Sequence, residues 1–161
     1  METTDRTVEQ AMRLDAQLCF ALHAASRAFD GVYRVVLREF GLTYPQYLVL
    51  LALWEHGELS VKNLGAKLRL DSGTLSPLLK RLEAAGWVER RRAVDDERSV
   101  LVRPTEAGNA LRERIFQVRT GIGVAVGMDQ QEAQALRTKL IELANSLDET
   151  AAGMSAAAAA Q

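Results

Sequence analysis

Hydrophobic positions in the first part of the chain repeat with the period of an α-helix. Six apolar residues follow one another at alternating spacings of four and three residues: Leu18, Leu22, Ala25, Phe29, Val32 and Val36. Such a pattern places an apolar stripe on one face of a helix. Gly41 marks the end of this predicted helix, because glycine is common just past a helix C-terminus.

The second predicted helix lies within residues 42–60, LTYPQYLVLLALWEHGELS, and is apolar on nearly every side. Thr43 suits its N-cap, and Pro45 suits its first turn, where a backbone N–H donor is not needed. Leucine, valine and alanine fill residues 48–52 without a polar face. A helix that is hydrophobic all round is buried, so we expect this one in the core.

Two further helices and a hairpin follow. Ser60 is the N-cap candidate of a short helix over VKNLGAKLRL, and a helix over residues 71–86 ends at Gly86. The segments WVERRR and RSVLVR then flank a charged loop over residues 93–97. Both segments combine β-forming residues with partial alternation, which predicts a two-stranded hairpin.

The last part of the chain is predicted to be helical again. Thr105 caps a helix over EAGNALRERIFQVR, and a further helix covers about residues 129–150. The helices at both ends have apolar stripes that exceed what so small a core can bury, so we expect them to form a dimer interface. The fold class is therefore mostly α with a small β-hairpin.

The composition is that of an ordinary soluble protein. The chain has 161 residues, of which 48% are hydrophobic and 25% are charged. We expect no membrane span, because no apolar run approaches about 18 residues, and no secretory signal at the start METTDRTVEQAMR. Cys19 is the only cysteine, which excludes an internal disulfide and a metal site built on several cysteines. These features favour a cytoplasmic protein without a metal or other cofactor.

Positive charge is concentrated in the middle of the chain. The net charge is −1, but residues 60–103 hold ten basic and six acidic residues, a balance of +4, so the remainder carries −5. Charged helix faces are often simply solvated. The concentration of positive charge therefore indicates a DNA-binding surface only if the helices around it have a suitable arrangement.

Three helices and a hairpin over roughly residues 45–104 have the order of a winged helix-turn-helix. In the helix from Asp71, four leucines form the core face and leave the opposite face small, hydroxylated or basic. The candidate DNA-binding residues there are Ser72, Gly73, Thr74, Ser76, Pro77, Lys80 and Arg81. Small residues allow close approach to base edges, hydroxyls donate hydrogen bonds, and cations pair with phosphates. Pro77 predicts either a late start or a slight kink of this helix.

The predicted hairpin adds a second candidate DNA contact. Its first strand carries consecutive arginines, of which Arg90 is a candidate DNA-binding residue, and Arg98 lies near the tip. An arginine at the tip of a wing can enter the narrow minor groove, where the potential is most negative. Asp96 would then stabilise the wing by pairing with Arg98 or another arginine. The alternative is a solvated charged hairpin.

These segments together resemble a known family. The stretch from SVKNLGAKLRL to RPTEAG resembles the MarR family of dimeric winged-helix repressors, with the D-x-R of DDERS and the TEAG after the hairpin as its most specific marks. QLCFALHAASR, TYPQYLVLLALWEH, LDSGTLSPLLKRLE and DDERSVL look like the OhrR subgroup, which senses organic hydroperoxides. The resemblance covers about residues 14–115 and includes the surroundings of the cysteine.

The resemblance implies a role for three residues. Cys19 matches the peroxide-sensing cysteine, and Tyr33 and Tyr44 match two tyrosines that hydrogen-bond the thiolate from the other subunit of the dimer. The family often has a third tyrosine one turn after the cysteine, where this chain has His23. It lacks a second, resolving cysteine and so resembles the one-cysteine type. The implied partners are a second copy of the chain, palindromic double-stranded operator DNA, an organic hydroperoxide as signal and a low-molecular-weight thiol.

The chemistry around Cys19 agrees with that role. A thiolate, and not a thiol, attacks a peroxide, and a helix N-terminus together with phenolic donors stabilises a thiolate. The first product is a sulfenic acid. The apolar neighbours Leu18, Phe20 and Leu22 suit an organic peroxide better than hydrogen peroxide. The sequence thus predicts a repressor that is released from DNA when Cys19 is oxidised.

Other classes of function stay open at this stage. A MarR-type repressor could be released by a small phenolic ligand, with Cys19 as an inert packing residue. A one-cysteine peroxidase is less favoured, because the only histidines are His23 and His56 and no nucleophile–base pair is visible, so we expect no enzyme. A protein-binding winged helix would leave the basic face without a role.

We expect four segments along the chain. Residues 1–44 would form an N-terminal dimerisation helix with the sensing cysteine, and residues 45–105 a winged helix-turn-helix domain. Residues 106–150 would form C-terminal dimerisation helices. Residues 151–161, AAGMSAAAAAQ, form a low-complexity tail to which no function is assigned.

Overall fold

The computed structural model describes residues 10–93 and 99–159, and for residues 117–120 it describes the backbone. In these ranges the helices are α1 (Leu18–Val36), α2 (Tyr44–His56), α3 (Val61–Leu68), α4 (Ser72–Ala84), α5 (Glu106–Val126) and α6 (Gln130–Ala159). The strands are β1 (Leu59–Ser60), β2 (Val88–Arg92) and β3 (Val100–Pro104). Short 3₁₀ turns cover Leu14–Ala16 and Arg38–Phe40. None of the described helices is both long and apolar enough to span a membrane.

The three strands form one antiparallel sheet in the order β1–β3–β2. Strand β2 pairs with β3 from Val88 opposite Pro104 to Arg92 opposite Val100, which confirms the predicted hairpin. The two-residue strand β1 pairs with the other edge of β3, with Leu59 opposite Val102. The sequence did not predict β1, because so short a strand has no pattern of its own and depends on a partner more than forty residues away.

Side-chain caps explain where several helices begin. The Thr43 N–H donates to Gln46 Oε1 at 2.9 Å before α2. At the start of α3, the Asn63 N–H donates to Ser60 Oγ at 3.1 Å. At the start of α5, the Gly108 N–H donates to Thr105 Oγ1 at 3.0 Å. Each bond satisfies a backbone group that the helix itself leaves unpaired. Thr43, Ser60 and Thr105 thus lie at the predicted cap positions, and at Thr43 the side chain of Gln46 supplies the acceptor.

The core lies between α2, α3, α4 and the sheet. Its fully buried side chains include Leu50, Leu53, Leu64, Leu75, Leu79, Leu82 and Val102. One prediction about the core helices is wrong, and one of the two alternatives for Pro77 is excluded. Helix α2 is not buried all round, because Leu51 is 40% exposed on a face that no neighbouring element covers completely. Helix α4 begins at Ser72, ahead of Pro77, so the proline does not delay its start.

The chain divides into two compact units, residues 1–122 and 123–161. In the first unit, α1 runs for 19 residues without one buried side chain. In the second, the 30-residue α6 has no buried side chain either. Helices in proteins gain most of their stability from packing an apolar face, so each of these helices has an apolar face that remains to be covered.

Candidate redox and nucleic-acid sites

Cys19 is the second residue of α1 and is exposed in the single chain. The backbone N–H groups of a first helical turn have no intrahelical acceptor and favour negative charge nearby. Leu18 is 64% exposed and Phe20 39%, so the thiol lies in an open apolar setting. Gln17 precedes the helix, and its side-chain Nε2 donates to the Arg13 carbonyl at 3.1 Å. This bond holds the preceding turn against the start of α1.

An exposed ion pair lies just before α1. Arg13 and Asp15 form an ion pair with Arg13 Nη2 and Asp15 Oδ2 2.7 Å apart. The hydrogen bond from the Arg13 guanidinium lowers the pKa of the Asp15 carboxyl. Because the pair is exposed and neutral overall, it adds little net charge beside Cys19.

Tyr33 and Tyr44 form a stacked pair in the same chain. Tyr33 lies on α1 and Tyr44 begins α2, and their ring centroids are 4.2 Å apart with an interplanar angle of 18°. Burial raises the pKa of the Tyr33 phenol to about 12, with a further contribution from Tyr44 and Tyr47. Burial, and then the charge of Asp30, raise the pKa of Tyr44. Both phenols are therefore protonated hydrogen-bond donors near neutral pH.

The structure does not bring Cys19 and the tyrosine pair of one chain together. Cys19 and Tyr33 are fourteen residues apart on the straight run of α1, which at 1.5 Å per residue is a separation of about 21 Å. A hydrogen bond between them within one chain is thus excluded by geometry. A site that contains both needs the cysteine of one copy and the tyrosines of a second.

His23 lies one helical turn after Cys19 and is exposed like it. Residues four apart on a helix are neighbours on the same face. The imidazole therefore stands beside the thiol on the side of α1 that is open in the single chain.

The outer face of α4 presents the predicted DNA-binding residues to solvent. The exposed set is Ser72, Gly73, Thr74, Ser76, Pro77, Lys80 and Arg81. Asp71 caps this helix: its Oδ1 accepts from the Thr74 N–H and its Oδ2 from the Thr74 hydroxyl, both at 2.8 Å. These hydrogen bonds lower the pKa of Asp71. Asp71 thereby fixes the first turn of the helix, and the Thr74 hydroxyl donates to Asp71.

Arg90 points back toward α4 and pairs with Glu83. Its Nη2 lies 2.5 Å and its Nε 2.9 Å from Glu83 Oε2, and this pairing lowers the pKa of Glu83. Arg90 also lines a cleft of about 370 Å³ between α3, α4 and the sheet, together with Lys62, Ser76 and Ser99. Sequence reasoning missed Lys62 and Ser99 as parts of this surface. Lys62 could have been predicted as part of a DNA-binding surface, because it belongs to the basic middle segment. No feature of the sequence distinguishes Ser99.

Arg98 and Asp96, the predicted minor-groove contact and wing-stabilising residue, lie outside the described residues. Within the described part of the hairpin, two further ion pairs hold the sheet. Arg91 Nε donates to Glu58 Oε2 at 3.0 Å, and Arg103 pairs with Glu89 across the two strands. Arg91 thus connects β2 to the turn before β1.

Comparisons with known proteins agree with this architecture. The family described as transcriptional regulator SarA/Rot matches residues 31–115. The HTH-type transcriptional regulator TtmR of Methylorubrum extorquens is 48% identical over 147 residues, which cover 91% of this chain and 74% of that protein. The organic hydroperoxide resistance transcriptional regulator of Bacillus subtilis is 46% identical over 126 residues, 78% of this chain and 84% of that protein.

A solved structure gives the same result for the fold. The structure of reduced AbfR bound to DNA has a TM-score of 0.73 and 37% identity, and the match covers 88% of this chain and 99% of that one. AbfR, from Staphylococcus epidermidis, has also been solved in an overoxidised form bound to DNA and in a disulfide form.

Helix α4, the sheet and the exposed basic face define a winged-helix DNA-binding protein. The chain belongs to the MarR/SarA family of winged-helix transcriptional regulators.

Proposed function

We propose that this chain is a redox-sensing transcriptional repressor that binds palindromic operator DNA as a homodimer and is released when organic hydroperoxides oxidise Cys19. The observation that carries the proposal is the placement of an exposed cysteine in the first turn of α1 together with a protonated Tyr33–Tyr44 pair farther along the chain. The 46% identity to the Bacillus subtilis organic hydroperoxide resistance regulator supports it.

The sensing step is a transfer of one OH group. The Cys19 thiolate attacks the terminal oxygen of the hydroperoxide ROOH, the S–O bond forms and the O–O bond breaks. Sulfur loses two electrons to the peroxide, and the leaving alkoxide takes a proton from solvent to become an alcohol. The product is a sulfenic acid, which a low-molecular-weight thiol converts into a mixed disulfide with release of water. Exposed Leu18 and Phe20 favour peroxides with an apolar substituent.

A homodimer supplies what one chain lacks. Large apolar side chains are exposed on α1, α5 and α6, among them Phe29, Phe116 and Leu147. Exposed apolar surface of this extent marks an interaction site. In a two-fold dimer the same contact occurs twice, so each Cys19 would face the tyrosine pair of the other copy. We propose residues 1–44 and 106–150 as the dimerisation segments, residues 45–105 as the DNA-binding domain and 151–161 as a tail without a role in binding.

The DNA contacts follow from the two copies of α4. In a repressor dimer they enter successive major grooves about 34 Å apart. Ser72, Gly73, Ser76 and Pro77 would approach the bases, and Lys80 and Arg81 would pair with phosphates. The Thr74 hydroxyl would contact the DNA after its hydrogen bond to Asp71 breaks. Arg90 and Arg98 would bind the backbone and the minor groove, with Asp96 stabilising the wing.

Release follows from the change at the sulfur. An oxygen or a mixed disulfide on Cys19 adds a polar group to an apolar dimer contact, which is costly unless the helices repack. Repacking would change the spacing of the two α4 helices, and the operator would no longer fit both. This function requires binding and not turnover, so we assign no enzymatic activity, and a regulator of bacterial type that binds operator DNA acts in the cytoplasm.

A gel-shift experiment with Cys19→Ser tests the proposal. The probe is a duplex that carries the segment upstream of the gene, and the oxidant is cumene hydroperoxide. We expect wild type to leave the duplex after oxidation and Cys19→Ser to stay bound. Because overoxidised AbfR was solved bound to DNA, mass spectrometry should identify the oxidised species in each sample. Release of both proteins, or of neither, would contradict the proposal and favour a ligand-responsive repressor.

A further inference from the structure

A chain of aromatic rings runs from the proposed sensor tyrosines into the DNA-binding part. Tyr33 lies 5.7 Å from Tyr47, ring centroid to ring centroid, and Tyr47 lies 6.4 Å from Trp54 in an edge-to-face arrangement. Tyr44, Tyr47 and Trp54 share one face of α2 because their spacings of three and seven residues return to the same side of a helix. Rings at these distances pack directly, and interiors transmit displacement because they are close-packed.

Trp54, the last ring in this row of aromatic side chains, forms a long-range hydrogen bond. Its indole N–H donates to the carbonyl oxygen of Gly108 at 3.0 Å, across 54 residues of sequence. Gly108 is the last residue of the TEAG segment and lies in the first turn of α5. The bond therefore joins α2, which carries Tyr44 and Tyr47, to the beginning of the helix that follows the wing.

The TEAG segment in turn holds the base of the wing. The Thr105 hydroxyl donates to the Gly86 carbonyl at 2.6 Å, and the Thr105 N–H donates to the Trp87 carbonyl at 3.1 Å. Gly108 packs so closely on Trp87 that a Cβ added to it would lie 2.0 Å from the Trp87 carbonyl oxygen. Gly86 and Trp87 immediately precede β2, the first strand of the wing. The base of the wing and the start of α5 are thus fixed to each other.

An open cleft lies beside the junction between α2, the base of the wing and the start of α5. A cleft of about 650 Å³ is lined by Trp54, Glu58, Pro104, Thr105 and Asn109, among others. Trp54 is half-buried, with core residues on one side and this cleft on the other. A shift of the indole toward the cleft would meet less resistance than a shift into the close-packed core.

We propose that Trp54 is a positioning residue that transmits the state of the tyrosine pair, through Gly108, to the base of the wing. The proposal rests on the proposed function, because the tyrosine pair is the site at which oxidised Cys19 of the second copy would act. In the reduced dimer the Trp54–Gly108 bond holds the wing in the DNA-binding arrangement. Oxidation displaces the tyrosines, and the displacement reaches the wing through Tyr47 and Trp54.

Trp54→Phe tests the proposal, with Trp87→Phe as the matched control. The first variant keeps a ring but loses the indole N–H. The second removes the other tryptophan, whose hydrogen bond from the Thr105 N–H is accepted by its backbone carbonyl and is kept in the variant. The measured quantity is the ratio of operator dissociation constants for oxidised and reduced protein. Allosteric coupling typically amounts to a factor of about 5 to 150. We expect Trp54→Phe to lose most of that factor and Trp87→Phe to keep it.

Two further measurements make the outcome unambiguous. The rate of Cys19 oxidation by cumene hydroperoxide, followed by mass spectrometry, should be the same in wild type and Trp54→Phe, which a general loosening of the fold would not give. Thr105→Val removes the hydroxyl that bonds Gly86 and Gly108 while conserving shape, so it should weaken coupling in the same way even if Trp54→Phe fails to fold. An unchanged ratio in either folded variant would overturn the proposal. Failure of the proposed function is distinct, since wild type itself would then keep its affinity after Cys19 is oxidised.

Discussion

Cys19 and Tyr33 lie on the same helix fourteen residues apart, so about 21 Å of helix separates the proposed sensing thiol from the phenol proposed to bind it. The end of that helix with Cys19 is exposed, whereas Tyr33 and Val36 at the other end are half-buried against the core. If Cys19 and the tyrosines form one site, as we propose, that site needs two chains, because only a second copy can place a Tyr33–Tyr44 pair beside Cys19. Dimer formation and peroxide sensing would then depend on the same surface.

Mixed dimers test the shared site. One subunit carries Cys19→Ser with intact tyrosines, and the other carries Tyr33→Phe and Tyr44→Phe with an intact cysteine. Loss of hydrogen bonds to a charged group costs about 1.5–3 kcal/mol each, which corresponds to at least about tenfold in rate. We expect Cys19 to react with cumene hydroperoxide at the wild-type rate in the mixed dimer and at least about tenfold more slowly in the doubly substituted homodimer.

The two subunits are co-expressed with different tags, and Cys19 oxidation is followed by mass spectrometry. Equal slow rates in the mixed dimer and in the doubly substituted homodimer would show that the tyrosines do not act across the interface.

Tyr33 makes stability depend on pH in the alkaline range. Its pKa is raised to about 12 in the folded chain and is about 10 in an unfolded chain. The folded state thus favours the neutral phenol, and this contribution is fully present below pH 10 and is lost as the pH rises toward 12. The free energy of unfolding should fall more steeply in wild type than in Tyr33→Phe over that window. Urea unfolding at pH 9 and pH 11 measures it, and identical slopes would contradict the assignment.

Lys80 should contribute to DNA binding through phosphate contact. It is exposed on the outer face of α4, where Lys80→Gln removes charge without touching the core. Each phosphate contact adds about 0.9 to the slope of log K against log salt, so two copies should lower that slope by about 2. Lys139→Gln on α6 is the matched control. Titration at several salt concentrations measures both, and the phosphate contact is refuted if the two variants keep the same slope.

Gly108→Ala should destabilise the protein. The added methyl group would lie 2.0 Å from the Trp87 carbonyl oxygen, and backbone atoms cannot move aside as the end of a side chain can. We expect a loss of about 1–3 kcal/mol in the free energy of unfolding, as for other overpacked sites. Gly153→Ala is the control, because no atom lies within 4 Å of its Cβ position on α6. It should be neutral or stabilising by up to about 1 kcal/mol. Equal effects of the two substitutions in urea unfolding would contradict this view of Gly108.

The sequence predicted the features that depend on near neighbours. The predicted caps Thr43, Ser60 and Thr105 each form a hydrogen bond with a residue three positions later in the chain. The leucine face of α4 and the hairpin were likewise predictable, because the periodicity of helices and strands depends on residues close together in the sequence.

Features that depend on distant segments were not predictable in the same way. Strand β1 exists because β3 offers an open edge, and the Trp54–Gly108 bond joins residues 54 positions apart. The sequence marked Arg90 as a DNA contact but gave no sign that Glu83 would hold its guanidinium. The roles of Cys19, Tyr33 and Tyr44 and of the α4 residues stay predictions, since they concern a second copy and DNA.

The most direct test of the central claim follows DNA release and Cys19 oxidation in one sample. A fluorescently labelled operator duplex is bound by reduced wild type, one equivalent of cumene hydroperoxide per Cys19 is added, and anisotropy and the mass of the Cys19 peptide are recorded over time. We expect the anisotropy to fall with the time course of Cys19 oxidation and to stay constant for Cys19→Ser. Complete oxidation of Cys19 with the anisotropy unchanged would contradict the claim.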